Sequence, residues 1–314
     1  MQTDICKILG IEYPIIMGAM TLVSDSKLVA AVSNAGGLGI FATGDKAQEG
    51  GIERIRKEIK AIKEMTDKPF GVNVALFMDN VPEIIDAVCE EGVAMITTGG
   101  GNPAPYMEQL KAAGVKVVPV VPSVKAAVKM EEMGADMIIA EGTESGGFIG
   151  KVTTMVLVPQ VTAAVKIPVI AAGGFATGRG LAAAKALGAS GIQMGTRFMV
   201  CKECTLPQVY KDRIIQSQPT DAIVEGATMA KAVPHRSMTT PAAQEVIAYE
   251  STPDADLKEY NKKFFAGRME TTGNIDKAIL GMGQVAGLIN SELTAQEIIR
   301  SIMEEYEETL KELK

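Results

Sequence analysis

The sequence predicts an α/β fold, a (β/α)8 or TIM barrel with an inserted, mainly helical cap, from three observations. Eight apolar runs are bounded by turn residues, helix-period segments lie between them, and that rhythm stops after residue 200. The runs fall at 14–17, 38–42, 70–74, 94–98, 117–121, 136–140, 168–172 and 191–194. Strands that alternate with helices form parallel sheets, and eight units suit a closed barrel. An open doubly wound sheet is the alternative, and it moves the site from the barrel mouth to a switch point in the strand order.

The helical segments 25–34, 51–65, 81–91, 105–113, 124–132, 154–165 and 178–187 repeat apolar residues every three to four positions, so each offers one face to a core. The seventh and eighth runs end on Gly173-Gly174 and on Gly195. Glycine has no Cβ, so backbone N–H groups there can approach an anion closely. Each turn is expected to open a helix whose N-terminus attracts negative charge, and Thr196 adds a hydroxyl donor. Barrels of this class commonly hold a phosphate in the loops after strands 7 and 8, and these two turns stand in those places.

Residues 1–200 therefore read as the barrel. Residues 201–280, irregular and Thr/Pro-containing with helical pieces around 256–268, read as the inserted cap. From 281 to 314 the chain returns to the barrel: small residues in Gly281-Met-Gly-Gln-Val-Ala-Gly-Leu288 precede a charged amphipathic helix, with Thr294 as its cap and Glu297 three residues on. Glu304, Glu305, Glu307 and Glu308 read as its solvated face.

With 314 residues, 47% apolar and 22% charged, the chain can bury a core of barrel size. Its net charge of −7 argues against a general nucleic-acid binder, which needs a basic surface. No apolar run reaches the length of a membrane span, and the N-terminus lacks a basic segment before an apolar core, so a cytoplasmic protein without a membrane partner is expected. The cysteines at 6, 89, 201 and 204 are too few and scattered for a disulfide framework. Cys201-Lys-Glu-Cys204 has no second pair and the chain has a single histidine, so it reads as two incidental thiols, and no metal is expected.

Two polar residues end apolar runs. Asn73 needs hydrogen-bond partners if buried. Glu141 could orient a loop, bind a cation or serve as an acid; glycines 142, 146 and 147 imply a tight loop in need of an anchor, which favours the first role.

The segments Gly18-Ala-Met20, Gly71-Val-Asn73, Thr97-Thr-Gly-Gly-Gly-Asn-Pro103, Pro119-Val-Val-Pro-Ser123, Ile139-Ala-Glu-Gly-Thr-Glu-Ser-Gly-Gly147, Ala171-Ala-Gly-Gly174 and Gln193-Met-Gly-Thr-Arg-Phe198 occur in that order, followed by Gly283-Gln-Val-Ala-Gly-Leu288. Together they resemble the flavin-dependent nitronate monooxygenase and enoyl-acyl-carrier-protein reductase II family. The resemblance implies FMN at the C-terminal ends of the strands under a helical cap. It implies that Gly18, Ala19 and Met20 lie beside the flavin ring, with Asn73 on its polar edge. Gly173, Gly174, Gly195 and Thr196 fall on the phosphate, and Gln193 on the ribityl chain or ring. Glu141, Gly146, Gly147, Ala172, Gly283 and Gln284 complete the implied cofactor set.

The chain departs from the family at one reacting position. Where relatives usually have a histidine after the paired glycines of the sixth-strand loop, Phe148 stands. Phenylalanine can stack but cannot move a proton. The one histidine, His235 in Val233-Pro-His-Arg236, reads as a surface residue more readily than as a substitute acid. Leu280-Gly281-Met282 stands where relatives tend to place a methionine near the flavin.

The resemblance implies an FMN oxidoreductase in which NADH or NADPH supplies electrons and the C=C bond of an enoyl thioester, on acyl carrier protein or coenzyme A, receives them. Relatives suggest a homodimer. The alternatives are a nitronate monooxygenase using molecular oxygen and a flavin-binding protein that has lost turnover.

Overall fold

Each of the eight apolar runs is a strand of one closed parallel barrel. The computed structural model describes residues 4–44, 51–268, 270 and 272–313. Its barrel strands are β1 (Ile15–Met17), β2 (Leu38–Ala42), β3 (Gly71–Ala75), β4 (Met95–Gly99), β5 (Lys116–Val121) and β6 (Ile138–Glu141). A two-residue strand, β7 (Gly147–Phe148), leaves for a second sheet, and β8 (Val169–Ala172) and β9 (Gly191–Met194) complete the barrel. β9 pairs with β1, Ile15 opposite Ile192 and Met17 opposite Met194, and this closure excludes the open doubly wound sheet.

Side chains alternate across the wall because a strand has period two. Ile16, Leu38, Ile40, Met95, Val118, Ile139 and Ile170 fill the barrel interior, and Ile5, Cys6 and Leu9 of the N-terminal helix Asp4–Leu9 pack against them. Ile15, Met17, Val72, Ile96 and Ile138 belong to the larger core shared with the surrounding helices. Strands buried on both faces must be apolar throughout, which is why the runs were legible.

The helices follow their caps. Asp25 accepts from Leu28 N, Ser123 from Ala126 N and Thr177 from Gly180 N, opening Ser26–Asn34, Val124–Glu132 and Gly178–Ala186. The last helix, Ala295–Glu312, carries the predicted capping box between Thr294 and Glu297. Its acidic face is only partly solvated: Glu305 accepts from Gly178 N, and Glu312 pairs with Arg179 at 3.0 Å. A Cβ at Gly178 would lie 2.3 Å from Tyr306 N, so glycine there lets the two helices touch.

The cap differs from its expectation. The stretch read as irregular contains β10 (Ala222–Glu225) and β11 (His235–Met238), which join β7 in an antiparallel sheet of order β10-β11-β7. Helices Pro241–Glu250 and Leu257–Arg268 cover it around Met229, Ala243, Val246, Tyr260, Phe264 and Ile279. Leu206, Tyr210 and Ile214 instead belong to the barrel's core, so the chain just after residue 201 packs on the barrel. Cys201 and Cys204 are buried there; burial pushes the Cys204 thiol up to about 11 and Cys201 still higher. No helix among the described residues is long and apolar enough to cross a membrane.

Candidate active site

The C-terminal ends of the barrel strands and the inner face of the cap enclose a cavity of 820 Å³. On the barrel side it is lined by Gly18, Ala19 and Met20 after β1, Asn73 on β3, Glu141 on β6, Ala172, Gly173 and Gly174 at β8, and Gln193, Gly195 and Thr196 at β9. Gly146, Gly147, Phe148, His235 and Gly283 line it too. Gln284 does not: its backbone N–H donates to Glu144 O at 3.0 Å as the chain turns into the short helix Gln284–Leu288.

Register and glycine placement build the floor. Asn73 lies opposite Thr97, and its amide Nδ2 donates to Thr97 Oγ1 at 2.9 Å. A Cβ at Gly18 would come within 3.0–3.1 Å of the Gln193 side chain, so glycine lets that amide lie across the end of β1. Gly173 and Gly174 hold φ of 91° and 83°, a region that costs other residues strain. At Gly174 and Gly195 an added Cβ meets no protein atom closer than 3.6 Å and would enter open cavity. Thr196 Oγ1 accepts from Gly283 N at 3.0 Å and keeps its own hydrogen to donate.

This cradle fits the phosphate and polar ring edge of FMN in its chemistry. The helix ends expected to assist are less developed. Gly195 precedes the single turn Thr196–Met199, and Gly178–Ala186 starts four residues beyond Gly174. No group of three His, Cys, Asp or Glu placed to hold a metal occurs among the described residues.

The loop after β6 has its anchor, but at a residue to which sequence reasoning gave no role. Glu144 accepts from Thr154 N at 2.9 and 3.0 Å and from Thr154 Oγ1 at 2.8 Å, fixing the loop to the start of helix Thr154–Ala164. Thr153-Thr154 before an apolar run was the available signal. Glu141 is thereby left facing the cavity, where burial pushes its carboxyl up to about 7 against the opposing effect of the Ser145 hydroxyl.

The cap side is aromatic. Tyr260, Phe264 and Phe265 line it, with Leu257, Lys231 and Arg268. The Arg268 guanidinium sits 5.2 Å from the Phe148 ring centre and 5.7 Å from that of Phe264. His235 is not a surface residue: it is 1% exposed, because β11 pairs with β7 and sets it opposite Phe148. Its ring meets Phe148 edge-on at 5.3 Å and Phe264 at 4.9 Å. Nδ1 lies 3.2 Å from Glu225 Oε2, and Glu225, with no exposed surface, also accepts from Ser237 Oγ. Burial lowers the pKa of His235, and the Glu225 carboxylate opposes that shift.

Comparison with known proteins agrees with this architecture. The sequence model of the nitronate monooxygenase family matches residues 2–305. The chain belongs to the nitronate monooxygenase family. Within it, the solved structure of FabK from Thermotoga maritima superposes with a TM-score of 0.94 at 41% identity, covering 100% of this chain and 98% of that one. A (3aS,4S,5R,7aS)-5-hydroxy-7a-methyl-1-oxo-octahydro-1H-indene-4-carboxyl-CoA dehydrogenase of Rhodococcus jostii is 38% identical over 76% of this chain and 66% of its own length. A probable nitronate monooxygenase of Staphylococcus saprophyticus is 30% identical over 99% of both chains. The names of the last two describe oxidoreductases, a dehydrogenase and a monooxygenase.

Proposed function

We propose that this protein is an FMN-dependent oxidoreductase that uses NADH or NADPH to reduce the C=C bond of an enoyl thioester carried on acyl carrier protein or coenzyme A, working as a homodimer. The observation that carries the reading is the two-sided cavity, a glycine and amide floor facing an aromatic roof. Gly173, Gly174, Gly195 and Thr196 would hold the FMN phosphate, Asn73 and Gln193 the polar edge of the ring, and Gly18 to Met20 its flank. FMN, when bound, supplies hydride transfer. Phe148, Phe264 and Phe265 keep water from the reacting carbons and give an acyl chain an apolar path. Lys231 and Arg268 offer positive charge to the phosphates of a nicotinamide or carrier.

Similarity to FabK, an enoyl-acyl-carrier-protein reductase II, supports this assignment. So does similarity to the carboxyl-CoA dehydrogenase, whose name describes oxidation of a thioester-linked substrate. In anaerobic stopped flow, NADH or NADPH is expected to bleach the bound flavin and a crotonyl thioester to restore its colour. Bleaching without restoration removes the enoyl reading, and no bleaching by either nicotinamide favours nitronate chemistry or lost turnover.

The family model and the Staphylococcus relative favour a second reading, nitronate oxidation by molecular oxygen. A nitronate is already deprotonated, so the absence of a histidine at 148 is no obstacle to it. Oxygen uptake on adding an alkyl nitronate, with no nicotinamide present, tests it; no uptake at saturating nitronate eliminates it.

A further inference from the structure

Phe148 removes the imidazole expected on the β6 loop, yet an imidazole stands beside it. Strand register sets His235 of β11 directly opposite Phe148 of β7, so the cap brings the ring to the same edge of the cavity from another part of the chain. Its Nδ1 is held by Glu225. Its Nε2 has no hydrogen bond among the described residues and faces Gly281, where a Cβ would stand 3.8 Å away and where the wall belongs to the cavity. A carboxylate buried behind an imidazole is costly where packing alone is needed, and such pairs gather at functional sites.

We infer that His235 gives the proton to the α-carbon of the acyl thioester, and that Glu225 is its positioning residue. The assignment rests on the enoyl-thioester reading above. Once the β-carbon has gained a hydride, which FMN would supply when bound, the C=C electron pair resides on the α-carbon and thioester oxygen. That pair forms the new α-carbon–hydrogen bond, the Nε2–H bond of the imidazolium breaks, its electrons stay on the ring, and water later returns the proton. Glu225 keeps Nδ1–H throughout and takes no proton. In the reverse direction the neutral ring removes the α-proton.

The charged and titratable groups around the pair come from each element packed on it: Glu225 and Arg236 on the sheet, Glu250 on helix Pro241–Glu250, and Tyr260 and Arg268 on helix Leu257–Arg268. Arg236 is engaged by Thr143 O and Ala222 O, each at 3.1 Å, and clamps the sheet to the β6 loop. Because only the imidazolium donates, reduction slows as pH rises through the ring's pKa, and the reverse reaction speeds up over the same range.

The chain has one histidine, so every imidazole signal in ¹⁵N-histidine NMR of the flavin-loaded protein is His235. The neutral ring is expected to carry its proton on Nδ1, and Glu225→Gln is expected to lower its pKa further. In stopped flow, His235→Asn is expected to slow reoxidation by crotonyl thioester about 100-fold more than it slows bleaching by nicotinamide, and to lose the wild-type pH limb of reoxidation. Glu225→Gln is expected to shift that limb to lower pH. Wild-type reoxidation and an unchanged limb in His235→Asn overturn the assignment while leaving the enoyl reading intact. If His235→Asn does not fold, an unchanged limb and ring pKa in Glu225→Gln overturn it equally. Failure of the wild-type protein to reoxidise with any enoyl thioester instead sinks the reading on which it rests.

Discussion

The barrel side of the cavity is made of Gly18, Gly173, Gly174 and Gly195 with the amides of Asn73 and Gln193, whereas the cap side is made of rings backed by the buried pair His235 and Glu225. The first surface presents backbone and leaves room. The second fills space and places an ionisable group. A site that must hold a polar cofactor and also admit an apolar substrate can divide these tasks between two elements, because the glycines that open one wall would leave the other porous to water.

If the cap wall depends on its buried pair, Glu225→Ala should have the largest effect. It strands the His235 Nδ1–H and the Ser237 hydroxyl without their shared acceptor, at about 1–3 kcal/mol for each buried donor left unsatisfied, read in chemical denaturation. A loss below 1 kcal/mol breaks the contrast, since the cap would then be held by its rings alone.

The barrel wall has its own ionisable group, Glu141, with the opposite pH signature from a paired carboxylate. Its folded pKa, pushed up to about 7, exceeds the ordinary 4.5, so the folded state holds a proton that the unfolded state has lost between those values. Stability therefore falls as pH rises from about 4.5 to about 7, by up to about 3 kcal/mol. Glu141→Gln should flatten that part of the curve in thermal melts; an unchanged slope shows that the carboxyl is better solvated than its burial implies.

Gly173→Ala probes the backbone side. With φ at 91° and Gly142 O only 2.7 Å from the added Cβ, it should cost about 1–3 kcal/mol and lower the flavin retained on purification, read at 450 nm. Full flavin retention would show that the β8 turn does not hold the cofactor. Thr294→Ala, on the capping box of the last helix and away from the cavity, should cost about 1 kcal/mol and leave flavin content unchanged.

The same contrast explains what could be read in the residue order. The barrel strands were visible because double-sided burial makes a strand apolar along its whole length, and the β8 and β9 turns because a positive φ needs glycine. In the cap, β10 and β11 carry polar residues such as Glu225, His235 and Arg236 inside, and their partner β7 is two residues long and lies far upstream. No local period announces such a sheet, so His235 was expected at the surface and Glu225 was not singled out. Glu144 was passed over for Glu141 for a related reason: which carboxylate grips a loop depends on where the next helix begins in space.

The amino-acid sequence by itself determined the barrel, its strand order and the glycine cradle at its mouth, because those follow from short-range periodicity and from residues that only one backbone conformation requires. Only the tertiary structure decided which carboxylate anchors and which faces the cavity, and that the lone histidine stands beside Phe148. Both depend on long-range pairing, in which burial and register are set by segments distant along the chain.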